Sequence, residues 1–342
     1  MYTINAANMH RDSSETSFLR KALDYPNYSV YPSTQAKKIL FGPDKQATGV
    51  LVDTRGARYT LRATKEVIVS AGVFGSPQLL MVSGVGPAET LRRHGIPIVA
   101  HRPGVGQNME DQVMFGLSYR VNGRTISALN DAAFAARAAR KFTEKAAGIY
   151  TNPGTDVFGW EKLPQPLRRT LSPRTRRILE MYPHDWPEIE YASANYFFGD
   201  QFQPRGSDPN DGFNYASLIA VLGAPQSRGN VTIRSADTAV PPVIDPNFFS
   251  DPADMDVAIA SYKRLRQFRR TKAVQPFVVA PGEVYPGLNV STDAEIETAV
   301  RKGFNTIYHA ACTCAMGKPG DRFAVVDTRR NDSAPWLIFL PL

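Results

Sequence analysis

The chain has 342 residues, 43% hydrophobic and 10% aromatic, with 40 Lys and Arg against 32 Asp and Glu for a net charge of +8. That content fills a sizeable core in one large domain or two and excludes a disordered chain. The basic residues are spread along the sequence. Their densest run, residues 168–177 (RRTLSPRTRR), has no interleaved aromatics and reads as a solvated face, so no nucleic-acid partner is expected. No stretch approaches the about 18 apolar residues of a membrane span, so no transmembrane segment is expected. The first residues lack the basic-then-apolar pattern of a secretory leader.

In chain order, Ser13 or Ser14 caps a short helix ending before Pro26, with Phe18, Leu19 and Leu23 expected inward. Residues 28–31 and 36–41 read as strands, 49–53 pairs back after Gly42-Pro43-Asp44, and 57–63 continues the meander. The meander feeds residues 64–86, TKEVIVSAGVFGSPQLLMVSGVG, around which the chain is organised. Val67-Ile68-Val69 reads as a short buried strand. Ser70-Ala71-Gly72 then lets the backbone approach whatever lies beyond the strand's carboxyl end. Ser76-Pro77 reads as an N-cap and first helical position, with residues 78–82 as helix body and Gly84 and Gly86 past its end. Such a strand, elbow and helix leaves N–H groups outward, suited to a large anionic cofactor.

A helix over 88–94 and a strand over 96–99 follow, then the loop 103–112, PGVGQNMEDQ. Gly104 and Gly106 lack the third glycine of a dinucleotide loop. Asn108 and Asp111 can bond their own loop backbone. Residues 132–145 form an amphipathic helix. Phe158 and Trp160 either face an apolar or aromatic substrate or pack in the core. His184 reads as structural, and 254–270 as a helix. Cys312 and Cys314 are too close for an ordinary disulfide and lack partners for zinc, so no metal site is expected. His309, in residues 305–317 (NTIYHAACTCAMG), has the chemistry of a general base near neutral pH.

Taken together, Ser70-Ala71-Gly72, Gly75-Ser76-Pro77-Gln78-Leu79-Leu80 and Ser83-Gly84-Val85-Gly86-Pro87 resemble the second signature of the glucose-methanol-choline (GMC) oxidoreductases, which use FAD. Val73 stands where the family has a smaller residue. Residues 103–112 are similar to the family's "GVGxNLxDH" loop, with Gln112 for histidine, which implies Asn108 and Asp111 as site candidates beside the cofactor cavity and substrate entrance. Residues 148–160 resemble the segment lining its substrate pocket, and residues 225–231 and 241–247 resemble words of the antiparallel sheet that floors the substrate site. His309 matches the histidine of "YHPVGTCRMG", with Cys312 in place of glycine and Ala315 in place of arginine.

The resemblance implies an α+β fold, a GMC-type substrate domain (an antiparallel sheet backed by helices) plus part of an FAD-binding α/β domain. It implies residues 28–112 as partial FAD-binding domain, 1–27 and 113–300 as mainly substrate domain, 301–327 as a partial FAD and catalytic segment, and 328–342 as an atypical tail. It implies FAD as cofactor, a small-molecule alcohol as substrate, His309 as base, and Ala36, Ser70, Ala71, Gly72 and Asn108 as cofactor-binding. The wording most resembles fungal members tied to secondary metabolism. No Gly-x-Gly-x-x-Gly follows a strand, and the family's "GLRVVDAS" strand and second His or Asn are missing, so the chain is expected to be a fragment. An inactive family remnant acting as a binding or scaffold module is the competing expectation.

Overall fold

The computed structural model describes residues 4–201, 208–318 and 320–327, together with the backbone of Leu337–Phe339. The chain divides into two compact units. One, the sheet unit, comprises Met1–Ser29, Gln112–Gln226 and Asp251–Ile307; the other, the elbow unit, comprises Val30–Asp111, Ser227–Ser250 and Tyr308–Leu342. Residues 227–250, expected with the substrate domain, thus cluster in the elbow unit.

Near the amino terminus a π-helical turn, Glu15–Leu19, runs into α1 (Arg20–Ala22). Phe18, expected inward, is 78% exposed, and Leu23 is exposed too. The elbow unit then begins with β1 (Thr34–Phe41), β2 (Ala47–Thr54) and β3 (Ala57–Arg62), an antiparallel meander in that order. Residues 28–31 form no strand, because Pro32 and the left-handed Ser33 (φ 54°) interrupt extended pairing just before β1.

Next come β4 (Val67–Val69), α2 (Gly72–Val82), β5 (Val85–Gly86), α3 (Ala88–Arg93) and β6 (Ala100–His101), which pairs parallel with β5. The strand expected over 96–99 is this two-residue β6, one step further on. Leu80, Met81, Leu91 and Val105 are essentially fully buried and centre the core of this unit with Ile39. About 25 cal/mol per Å² of apolar surface removed from water holds such a core together.

The sheet unit is built on β7 (Val113–Val121), followed by α4 (Ala132–Lys145), β8 (Thr155–Glu161), α5 (Gln165–Arg168), α6 (Pro173–Glu180), β9 (Ile189–Ala194) and β10 (Asn214–Leu222). The chain crosses into the elbow unit for β11 (Asn230–Thr232) and β12 (Val243–Asp245), then returns for α7 (Pro252–Arg269), β13 (Val278–Tyr285), α8 (Asp293–Gly303) and β14 (Asn305–Thr306). The antiparallel sheet runs β13-β7-β10-β9-β8, with β14 pairing β7. The alternation of side chains across each strand gives it two working faces. One face packs on α7, where Tyr191 meets Phe268 edge-on at 4.9 Å. The other carries Ala192, Ala194, Ile219 and Val221 with Phe198.

Residues 230–232 and 243–245, expected in that sheet, instead pair with each other as a separate hairpin. The far edge of β11 is already occupied, since Val231 N donates to Gly106 O at 2.7 Å. The basic run at 168–177 is only partly solvated: Arg168 pairs with the buried Glu188, and Arg174 forks onto Asp251 at 2.6 and 2.7 Å. The 328–342 tail lies outside the described residues except for β15 (Leu337–Phe339), whose backbone runs parallel to β4.

α8 starts with a reciprocal capping box. Thr292 Oγ1 accepts from Glu295 N, while Glu295 Oε2 accepts from Thr292 N at 2.9 Å and Ser291 N at 2.8 Å. Those backbone donors, Thr292 first, hold the Glu295 carboxyl down at about 2, from its usual 4.5. A carboxylate with a depressed folded value adds stability that is present above 4.5 and lost as pH falls through about 2. A carboxyl-carbon NMR titration is therefore expected to show Glu295 with a midpoint near 2, with Thr292→Ala moving it upward. A midpoint near the usual value in the wild-type chain overturns the capping geometry.

Candidate active site

β4 ends at Val69, and Ser70 and Ala71 stand exposed beyond it. Gly72 has φ +76°, a conformation that L side chains rarely adopt, and a Cβ there meets nothing within 4 Å, so its flank is open. The helix begins at Gly72, with Ala71 as N-cap and no capping side chain, about one turn before the expected start. Ser76, read as the cap, lies within the first turns and its Oγ accepts from Ala71 N at 3.1 Å.

The displaced start puts Pro77 inside the helix. Proline has no N–H, so the carbonyl four residues back, that of Val73, loses its helical donor. Thr313 supplies the replacement: its Oγ1 donates to Val73 O at 2.6 Å. This bond ties the segment after His309 to the first turn of α2.

The same segment is stitched along its length to the loop 103–112. Ala311 N donates to Glu110 O at 2.8 Å, Glu110 N to Ala311 O at 3.1 Å, and Gly106 N to Thr313 O at 2.8 Å. On the loop's other side Met109 and Gly229 exchange bonds at 2.9 and 2.8 Å. The loop is therefore the middle of three backbone segments. Its glycines fit that role: a Cβ on Gly104 falls 1.8 Å from Phe323 O, and one on Gly106, at φ +77°, falls 2.0 Å from Val231 O.

His309 is exposed and follows Tyr308, whose φ is +65°. Cys312 has φ +71°, so the backbone keeps a glycine-like conformation although a cysteine stands there. The two cysteines are both free and differ in setting. Cys314 packs in the core of the unit, and burial pushes its thiol up to about 12. Cys312 is exposed; partial burial and then Glu110 raise its thiol, opposed by Arg228. Glu110 and Arg228 are themselves paired at 3.1 Å.

Asn108, at φ +62°, is exposed and lines an open cavity of about 570 Å³ with Arg228, Asn230, Asp321 and Phe323. Ala36 lies in β1 across from Val52, and its carbonyl accepts from Thr238 Oγ1 at 2.8 Å. The described structure thus brings Gly72, the loop bearing Asn108 and the His309 segment into one bonded assembly, with Ala36 on the neighbouring meander. The roles of Thr313 and Pro77 escaped the sequence reading. Pro77 itself was the available signal, since an interior proline implies a carbonyl seeking another donor.

Family models described as GMC oxidoreductase match residues 1–114 and 225–331. The chain belongs to the GMC oxidoreductases, whose members are FAD-dependent flavoproteins. It is 58% identical over 330 residues to patulin synthase of Aspergillus clavatus, covering 96% of this chain and 52% of the relative. Versicolorin B synthase of Aspergillus parasiticus is 39% identical, with 96% and 50% covered. The chain spans about half the length of these curated relatives. The fold matches an FAD-dependent oxidoreductase from Chaetomium thermophilum with a TM-score of 0.79 at 24% identity, over 98% of this chain and 60% of that one.

Residues at the elbow fit one end of FAD. Gly72 leaves open space where a Cβ would stand, and the start of α2 has no capping side chain competing for its N–H groups. The Ala36 carbonyl, which the resemblance assigns to cofactor binding, accepts from Thr238 Oγ1.

Proposed function

We propose that this chain carries the base and part of the flavin cradle of an FAD-dependent oxidoreductase that converts a small-molecule alcohol to its carbonyl. FAD, when bound, supplies the ring that accepts the hydride. The Thr313 to Val73 bond carries the reading, because it fixes the His309 segment to the elbow that the resemblance assigns to the cofactor. His309, as neutral imidazole, takes the hydroxyl proton while the C–H hydride leaves. Gly72 and the first N–H groups of α2 would hold part of the cofactor, with Ser70 and Ala71 allowing close approach and Asn108 contributing from the loop. Relatives named patulin synthase and versicolorin B synthase support a place among fungal enzymes that make small metabolites.

A second reading has its own observation behind it. Cys312 and Ala315 stand in the His309 segment where the family has glycine and arginine, a departure that fits a binding module without turnover.

The test is spectroscopic. The full chain is mixed with FAD, desalted, and examined for flavin absorption, then challenged anaerobically with a primary alcohol. The first reading expects retained flavin that bleaches, and about 10²- to 10⁴-fold slower bleaching in His309→Ala with flavin retained. Bleaching at the wild-type rate in that variant removes His309 from the role. Complete loss of flavin on desalting favours the second reading.

A further inference from the structure

α4 is held to the sheet unit by one side only. Ala138 is its buried residue, with Phe134, Ala135 and Phe142 half-buried around it. Asp131 Oδ1 caps the helix start by accepting from Phe134 N at 2.6 Å, and Phe142 meets the rings of His10 at 5.1 Å and Tyr150 at 6.2 Å. The helix is thus fixed in place while most of its circumference meets water.

That open side carries Arg137, Arg140, Lys141 and Lys145, all exposed, which with Glu144 line a shallow cavity of about 200 Å³. Residues three and four apart on a helix are neighbours, so 137, 141 and 145 form one line, with 140 and 144 beside it. None of the four cations is in an ion pair among the described residues. Elsewhere the same chemistry pairs: Glu89 with Arg93 at 2.9 Å on α3, and Glu297 with Arg301 at 2.8 Å on α8. In both, Glu stands four residues before Arg, the favourable order, whereas on α4 Arg140 precedes Glu144. Arg137 with Lys141, and Lys141 with Lys145, are like-charged neighbours that work against the helix carrying them. Neither core nor helix gains from that line of charge, and an anionic partner relieves it. Ala132, Ala133, Ala136 and Ala139 are exposed beside it, so a flat surface can come close. Tyr150, 42% exposed, lies just past the helix end, a residue type that settles at headgroup depth. The ring within the run, Phe142, is taken up by His10 and Tyr150, so no base-stacking platform faces the cations.

We propose that this face of α4 docks on a membrane surface bearing anionic headgroups, lying along the surface without entering it. A cluster of about four to eight Lys and Arg on one helix is the charge that such a surface attracts. No described helix is long and apolar enough to cross a membrane, so the contact is peripheral. The inference stands apart from the oxidoreductase reading and uses none of its residues.

Sedimentation of the full chain with lipid vesicles tests this. Phosphatidylcholine vesicles containing about 30% phosphatidylserine are expected to carry the chain down at low salt and to release it at about 0.5 M, while phosphatidylcholine alone carries none. Arg137→Gln and Lys141→Gln are each expected to weaken binding about fivefold. Arg169→Gln with Arg177→Gln removes as much charge from exposed positions off α4 and is expected to leave binding unchanged. Equal loss in the two double variants makes net charge the cause and overturns the proposal, as does equal sedimentation with the two kinds of vesicle. A chain that ignores both vesicles and binds polyglutamate places an acidic protein on this face and overturns it too. All the altered side chains are exposed, and unchanged far-ultraviolet circular dichroism separates lost binding from lost fold.

Discussion

Gly106→Ala is expected to cost about 4 kcal/mol or more, within the range reserved for exceptional single substitutions. Two effects combine. At φ +77° a side chain is strained by about 1 kcal/mol, and its Cβ lies 2.0 Å from Val231 O, so backbone has to move. Movement breaks the bonds from Gly106 N to Thr313 O and from Val231 N to Gly106 O, each lost buried bond costing about 1 to 3 kcal/mol. Gly56→Ala separates the two: its φ is +93°, but nothing lies within 4 Å of the added carbon. That control is expected to cost about 1 kcal/mol. Urea midpoints read both, and equal shifts would mean the loop is not wedged between its neighbours.

Glu283→Ala is the second large effect, expected at about 3 to 5 kcal/mol. The Glu283 side chain is fully buried and takes two bonds from Arg266, at 2.7 and 3.1 Å. Arg266 also donates to Val290 O at 2.6 Å and Gly287 O at 3.2 Å, so its guanidinium cannot swing to water without emptying two carbonyls. Removing the carboxylate strands that charge. Replacing both partners, as Arg266→Met with Glu283→Leu, is expected to recover most of the loss, because desolvating the pair offsets much of its attraction. A double variant as unstable as the single one contradicts this. Tyr119 and Tyr262 report on the same carboxylate: burial first and Glu283 second raise both phenols, so Glu283→Gln lowers both, readable by ultraviolet titration.

Local pattern carried much of the fold. α4 is found where its alanine-rich amphipathic stretch predicts it, and the meander β1 to β3 follows its alternation and turns. These elements depend on neighbours a few residues away. The order β13-β7-β10-β9-β8 depends on strands far apart in sequence, and no periodicity encodes it. The helix at the elbow shows the same division. Ser76-Pro77 has the composition of a helix start, yet the helix begins at Gly72, because the carbonyl Pro77 leaves open finds a donor in Thr313. Likewise Phe158 and Trp160 could be read from sequence as wall or core; the structure packs Phe158 against the sheet's apolar cluster and leaves Trp160 exposed on the edge strand, a division that no sequence pattern encodes.

That threonine donor lies 240 residues downstream of the carbonyl it serves. At about 5 to 20 residues per second of synthesis, the ribosome delivers it roughly 12 to 48 s after Val73. Until then the helix below the elbow has a gap in its own bonding ladder. The elbow therefore completes its bonding only after that delay, which makes the interval a natural point for a chaperone, or an early cofactor, to intervene.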